Sequence, residues 1–400
     1  VRIKRVERIA ILSFLLICIV VFTMGCGSSY EEIILDEKNS DVIHDDEQLQ
    51  EEIEEENYKR ILIAAVGDIM GHMPQVYASK DWETGEYDFK DNYKEVKPIF
   101  EQADLTIGNL ETTLAGSDRG YTGFPMFNTP SVLARDLAWA GFDILSTANN
   151  HSLDRGASGL ERTLNKLDKY ELIGVGTHRS QKEREQITVV DVQGIDIALL
   201  AYTYGTNGIP IPTGREYLVN LIDEEVIKRD IEKAKERSDV VVVCMHWGDE
   251  YQRLPNANQK YLAEKLVKWG ADVILGSHPH VIQPYEYIRI ENQEEVREGV
   301  VIYSMGNFIS NQRREYRDTG IIFQVELIKD LNNGNVSIGK VDWVTTWVRK
   351  FYENNKWNYR ILPVEEYVLK IKEGKELPFT EEERNKIIKA WKDTNKHLLN

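Results

Sequence analysis

Cysteine is almost missing from this chain, with three in 400 residues. Cys18 and Cys26 lie near the start and Cys244 stands alone in the remainder, so no internal disulfide can staple the body. Cys244, inside VVVVCM, reads as a small buried hydrophobe. Positive charge is also in short supply: 49 Lys and Arg face 66 Asp and Glu, for a net charge of −17. That balance argues against a nucleic-acid partner. Walker-type phosphate loops and dinucleotide fingerprints do not occur, which leaves coupling to bound ATP without support. There is no internal repeat, and the apolar run Ile9–Phe22 is too short for a comfortable membrane span.

What is present begins with Arg2, Lys4, Arg5 and Arg8 ahead of that run, which ends in Thr23-Met24-Gly25-Cys26. A basic stretch, an apolar stretch and a small residue describe a secretory signal. Gly25-Cys26 followed by Gly27-Ser28-Ser29 resembles a bacterial lipoprotein signal, with residues 1–25 removed and Cys26 carrying the lipid. The expectation is an extracytoplasmic body anchored to the cell membrane. Residues 26–58 form an acidic stretch in which Glu31–Glu56 holds 13 acids against Lys38, about −12 of the total. Such a segment cannot bury enough apolar surface to order itself and reads as a disordered tether.

From Lys59 the order strand, polar loop, helix recurs, the pattern of βαβ units. Arg60–Val66 reads as a strand, Tyr93–Gln102 and Pro130–Ala140 as helices, and Phe142–Ser146 as another strand before a helix over Gly159–Tyr170. Ile187–Val192 and Ile195–Tyr202 form a hairpin around Gln193-Gly194. After Asp272–Leu275 the strands Pro284–Ile290, Gly299–Ser304, Gly320–Leu327 and Val336–Val348 follow without helices between them. A parallel half followed by an antiparallel half gives a mixed α/β (α+β) fold, a four-layer sandwich of two mixed β-sheets flanked by helices. The main domain is assigned to 59–368 and a C-terminal helical extension, with a charged helix at Thr380–Leu398, to 369–400.

Five apolar runs end in polar clusters with ligand chemistry: Asp68, Glu111, Asn150-His151, His246, and the pair His278 and His280. Ligands in open α/β sheets gather outside the carboxyl ends of strands, so these endings meet on one rim if their strands share a sheet. An extended His278-Pro279-His280 would point both rings the same way. Carboxylate, amide oxygen and imidazole together suit Mn²⁺, Zn²⁺ or iron better than Ca²⁺. Two such ions roughly 3.5–4 Å apart would share a bridging ligand and hold a hydroxide nucleophile between them. Asp154 shapes the turn into the next helix, Glu250 is either a partner of His246 or solvated, and Asn307 is a candidate amide in the cleft. Trp247 and Tyr251 either line a groove or belong to the core. Ser152 beside His151 does not make a nucleophilic triad.

Six motifs in order resemble the CapA family of capsule or poly-γ-glutamate synthesis proteins. They are GDIM at Gly67–Met70, GNLE at Gly108–Glu111, NNHSLDRG at Asn149–Gly156, HWGDEY at His246–Tyr251, GSHPHV at Gly276–Val281 and SMGNF at Ser304–Phe308. The resemblance implies a fold related to the calcineurin-like metallophosphoesterases and a two-metal site. Asp68 and His280 would hold one ion, Asn150, His246 and His278 the other, with Glu111 as the bridge and His151 as the general acid. The wider superfamily has Asp-x-His where this chain has Asp68-Ile69-Met70, with His72 close by as a possible substitute, and Asp where it has Glu111. The expected function is metal-dependent hydrolysis in synthesis, export or trimming of an anionic envelope polymer, beside membrane-bound synthase subunits. A second reading is a non-catalytic lipoprotein subunit of a polymer synthase or exporter with a degenerate metal cleft. A third, a solute-binding lipoprotein, leaves the histidine clustering unexplained.

Overall fold

The computed structural model describes residues 57–291 and 296–399. The expected signal (1–25), Cys26 and nearly all of the expected tether lie outside the described residues. The strands run β1 (Tyr58–Ile69), β2 (Leu105–Leu110), β3 (Ile144–Ser146), β4 (Ile173–Val175), β5 (Thr188–Val192), β6 (Ile195–Thr203) and β7 (Val240–His246). They continue as β8 (Val273–Ser277), β9 (Ile282–Glu291), β10 (Val296–Met305), β11 (Asn307–Ile309), β12 (Thr319–Asp330), β13 (Val336–Glu353) and β14 (Lys356–Pro363).

They form two mixed sheets. The first has the order β14-β13-β12-β1-β2-β3-β4, with β11 paired to the end of β1, and the second β5-β6-β7-β8-β10-β9. Side-chain alternation explains why they stack. In β1, Ile61, Ile63 and Ala65 enter the core between the sheets, whereas Ala64 and Val66 enter the outer core under the helix Val132–Ala140. In β7, Val240, Val242 and Cys244 face inward while Val241, Val243 and Met245 face Ile227, Ile231, Leu262 and Leu266 of the helices Glu224–Lys235 and Ala257–Trp269. Strands buried on both faces read as unbroken apolar runs, which is why VVVVCM carries no polar alternation. Cys244 is a core residue, its thiol pushed up to about 12 by burial. The expected four-layer architecture is therefore the observed one.

Local chemistry sets the ends of the helices. Asp223 caps Glu224–Lys235 by accepting from the Val226 amide at 3.0 Å, Asn256 caps Ala257–Trp269 by accepting from the Gln259 amide at 2.9 Å, and Gly141, at φ 109°, ends Val132–Ala140. The single helix expected at Tyr93–Gln102 is two short ones, Lys90–Tyr93 and Lys97–Phe100, because Pro98 starts a new first turn. The helix Val364–Lys372 straddles residue 368, and Glu381–Leu398 buries Ile387 and Ala390 against Trp347 and Leu362. Among the described residues no helix is long and apolar enough to cross a membrane.

The sheets are joined where β10 passes into β11. Gly306, at φ 70°, turns the chain from the second sheet to the first, and its carbonyl accepts from the Asp68 amide at 3.0 Å. A Cβ on Gly67 would sit 1.9 Å from that carbonyl oxygen, so the approach requires glycine. Gly276 of β8 is crowded in the same way, its absent Cβ 1.9 Å from the Tyr303 carbonyl oxygen of β10. Gly276→Ala should lower unfolding free energy by about 3 kcal/mol, read from the urea midpoint. Gly205→Ala, with open space around it, should leave the midpoint in place.

Candidate metal centre

Asp68 ends β1, Glu111 follows β2, and Asn150 and His151 follow β3, all at the carboxyl edge of the first sheet. His246 ends β7 and His278 and His280 follow β8 at the matching edge of the second. The cluster therefore draws on two sheets across their seam, and the expectation of one shared sheet is corrected. The six side chains expected as ligands, and His151, are all buried. Ligand atoms of Asp68, Glu111 and His246 lie within 4.8 Å of one another, as do those of Glu111, His278 and His280. Glu111 belongs to both groups, as a bridging ligand would, although the histidines divide between the groups differently from what the resemblance implied.

The ligand loop is not extended. His278 and His280 both have left-handed backbones, at φ 98° and 59°, a conformation non-glycine residues adopt only when their surroundings impose it. Hydrogen bonds impose it here: the His278 amide donates to Asp68 Oδ1 at 3.3 Å, and His280 Nδ1 meets Asp68 Oδ2 at 2.9 Å. The imidazole centres end up 5.9 Å apart, around the carboxylates. His280 Nε2 is 3.8 Å and His246 Nε2 3.9 Å from Glu111 Oε1, which places that oxygen at the middle of the cluster. Asn150 Oδ1 faces His246 Nε2 at 2.9 Å.

The charges are unbalanced in a telling way. Burial pushes Glu111 well above the usual carboxylate range, and the neighbouring Asp68 adds to it. Burial also acts on Asp68, but the His280 hydrogen bond and the charges on His280 and His246 outweigh it and hold Asp68 low. Burial drives His246 well below the ordinary imidazole value and His278 down to about 4, each helped by the neighbouring imidazoles. Two adjacent buried carboxyl groups with three imidazoles around them have the composition a divalent cation completes. Glu111 Oε1 and His278 Nδ1 are buried with no hydrogen-bond partner among the described residues. Two orphaned buried ligand atoms in one cluster are the strongest sign that these residues fit a metal.

The remaining candidates divide. His151 Nδ1 meets Asp154 Oδ2 at 2.8 Å, so Asp154 orients this imidazole as well as accepting from the Phe127 amide at 2.6 Å. His72 stands apart from both ligand groups: its Nδ1 accepts from the Asn311 amide at 3.3 Å, and burial lowers it to about 4. Asn307 Nδ2 donates to the carbonyls of His280 at 3.3 Å and Arg317 at 2.9 Å, which makes it a brace for the ligand loop. Glu250 is exposed on the rim, and Trp247 is in the core with Nε1 donating to the Tyr303 carbonyl at 3.0 Å.

Asn109 and Asn207 had drawn no attention in the sequence. Asn109 Nδ2 donates to Asp68 Oδ1 at 2.8 Å and Glu111 Oε2 at 3.3 Å, holding the two carboxylates together. Asn207 Oδ1 accepts from Asn150 Nδ2 at 3.1 Å, which fixes the Asn150 amide with its oxygen toward His246. Asn109 lies in the GNLE motif and was legible by position; Asn207 sits in a loop with no motif around it.

A two-sheet α/β sandwich with a buried carboxylate, amide and imidazole cluster at its seam is a fold with a candidate divalent-metal centre. The chain belongs to the bacterial capsule synthesis protein family PGA_cap, whose pattern matches residues 62–312 and so takes in every expected ligand. It is 29% identical over 264 residues to the capsule biosynthesis protein CapA of Bacillus anthracis, covering 64% of this chain and 61% of that one. It is 32% identical over 266 residues to the PGA biosynthesis protein CapA of Bacillus subtilis, covering 62% and 64%. The matches thus span less than two thirds of either relative. A solved structure titled as a novel phosphatase of Mycoplasma pneumoniae aligns with a TM-score of 0.42 at 16% identity, over 72% of this chain and 93% of that one. That likeness is too loose to bear on chemistry.

Purified protein should bind about two Mn²⁺ or Zn²⁺ ions per chain by elemental analysis, and Glu111→Gln should release most of that metal. Retention of both ions in the variant would remove Glu111 from the centre. Burial also lowers His178, which follows β4, to about 4 from an ordinary 6.5. The unfolded chain binds its proton below 6.5 and the folded chain does not, so its stabilising contribution is complete above pH 6.5 and lost as pH falls toward 4. His178→Asn should therefore flatten the dependence of unfolding free energy on pH in that window.

Proposed function

We propose that this chain is a metal-dependent hydrolase of the capsule synthesis family, held outside the cytoplasmic membrane, acting in synthesis, export or trimming of an anionic envelope polymer. The observation that carries the reading is the closed cluster around Glu111, with Glu111 Oε1 and His278 Nδ1 unpartnered inside it. Asp68, Glu111, Asn150, His246, His278 and His280 are the side chains that would hold two divalent transition metals. When bound, such ions would polarise a substrate oxygen and supply a nucleophile at neutral pH.

The protein's own part follows from the geometry. Asp154 accepts the Nδ1 proton of His151 at 2.8 Å, which leaves Nε2 to give a proton to a leaving oxygen. Phe127 packs its edge against that ring, centres 4.7 Å apart, and keeps the pair in place. Tyr204 covers His278 and His246 at 4.6 and 6.2 Å between ring centres, excluding water from one side of the cluster. The CapA relative named for PGA biosynthesis makes poly-γ-glutamate the polymer we favour as substrate.

Metal-loaded protein should be screened on phosphodiesters, phosphomonoesters and γ-glutamyl peptides. One class should turn over, and His151→Gln should lower kcat about 10²–10⁴-fold with metal content unchanged. In cells, Glu111→Ala should abolish capsule output. Undiminished output with the centre destroyed would overturn the hydrolase reading in favour of a subunit that binds without catalysis.

A further inference from the structure

Beside the metal centre, in a segment just past the family pattern, Arg317 lies with its guanidinium carbon 3.2 Å from the centre of the Tyr251 ring. Both members of the stack are tied to the ligand loop. The Tyr251 amide donates to the carbonyl of Pro279, between the two histidines, at 2.7 Å. The Arg317 carbonyl shares the Asn307 amide with the His280 carbonyl, at 2.9 and 3.3 Å. The Tyr251 ring is 5.9 Å from that of His280. A half-buried guanidinium is thus fixed at the mouth of the cluster, and among the described residues no carboxylate forms an ion pair with it, whereas nearby Arg313 pairs with Asp318 at 3.4 Å. On a chain with more acids than bases, an unneutralised arginine held this firmly calls for an explanation.

The same device recurs on the other side of the segment. Arg253 lies over the Tyr316 ring at 4.1 Å, in the wall of a cavity of about 310 Å³ lined by the bases Arg314 and Lys386 and by the acids Glu315, Asp318 and Asp393. Arg253 Nε is buried with no hydrogen-bond partner among the described residues. A guanidinium stacked on an aromatic face keeps its in-plane N–H groups free for a bidentate oxyanion, and stacking removes most of the ordering cost of binding.

We infer that Tyr251–Arg317, beside His280, and Tyr316–Arg253, in the adjoining cavity wall, are two neighbouring oxyanion subsites for a polycarboxylate chain. The inference rests on the reading of that centre as one acting on an anionic polymer, and it adds how the polymer is recognised. Glu250, on the rim beside Tyr251, supplies the opposing charge that disfavours loosely placed anions.

The test is binding of a ten-residue γ-linked oligoglutamate to the purified chain by calorimetry, with oligoglutamine and tripolyphosphate as comparison probes. Binding is measured on metal-loaded protein and again in EDTA, so a failure of the metal centre and a failure of these subsites are told apart. Arg317→Gln and Arg253→Gln should each weaken oligoglutamate about tenfold, Arg317→Lys should restore part of the loss, and Glu250→Gln should tighten binding. Oligoglutamine should not bind. Should both glutamine variants bind oligoglutamate as tightly as the parent, or should only tripolyphosphate depend on the two arginines, the assignment fails. Glu250→Gln adds nothing unfavourable to packing, so a parent-like affinity there counts against the inference even if an arginine variant does not fold.

Discussion

Two carboxylates share a space closed to water, and this molecule is arranged around making that tolerable. Asp68 and Glu111 come from adjacent parallel strands, so their backbones are fixed at sheet spacing before either side chain finds a partner. Asn109, between them on β2, gives both oxygens a donor. His280 completes Asp68, while one oxygen of Glu111 has no hydrogen-bond partner among the described residues. Leaving such a group uncompensated in the interior is costly. The surrounding architecture holds it because the same pocket turns three imidazoles toward it from the opposite sheet.

That arrangement explains why the fold needs two sheets. The first sheet contributes the candidate oxygen ligands Asp68, Glu111 and Asn150 and the second the candidate nitrogen ligands His246, His278 and His280. The seam between them is drawn tight by a backbone contact that leaves no room for a side chain, at Gly67 against Gly306, while Gly276 against Tyr303 closes β8 onto β10 within the second sheet. The left-handed His278 and His280 are a local result of the same closeness, since the loop must bend back toward Asp68 to reach its donors.

Much of this was legible beforehand. Apolar runs such as ILIAAVGD and VVVVCM announced strands buried on both faces, and the polar residues ending them are the ones the structure brings into one buried cluster. The layer order followed from the shift from helix-separated strands to consecutive ones. What escaped was set by distance in space. His278-Pro279-His280 read as extended because alternation is a local rule, whereas its backbone answers to Asp68, some two hundred positions away. His72 looked like a substitute ligand by proximity in sequence, yet the Asn311 amide takes its Nδ1. Tyr251 ends the HWGDEY motif, but Arg317 carries no motif and gains meaning only from being stacked on that ring. The break at Pro98 is legible from the residue itself, since proline suits the first turn of a helix and not its interior.

The crossing at Gly306 has one more implication. Because the donors come from both halves of the sandwich, a cation gripped between them would act as a clamp across the seam, favouring the closed form over any in which the halves part. Scarcity of metal would then be felt as shortened survival of the whole chain, through loosening and proteolysis, as well as through lost turnover. For such a molecule, the supply of ions in its surroundings sets how much of it there is.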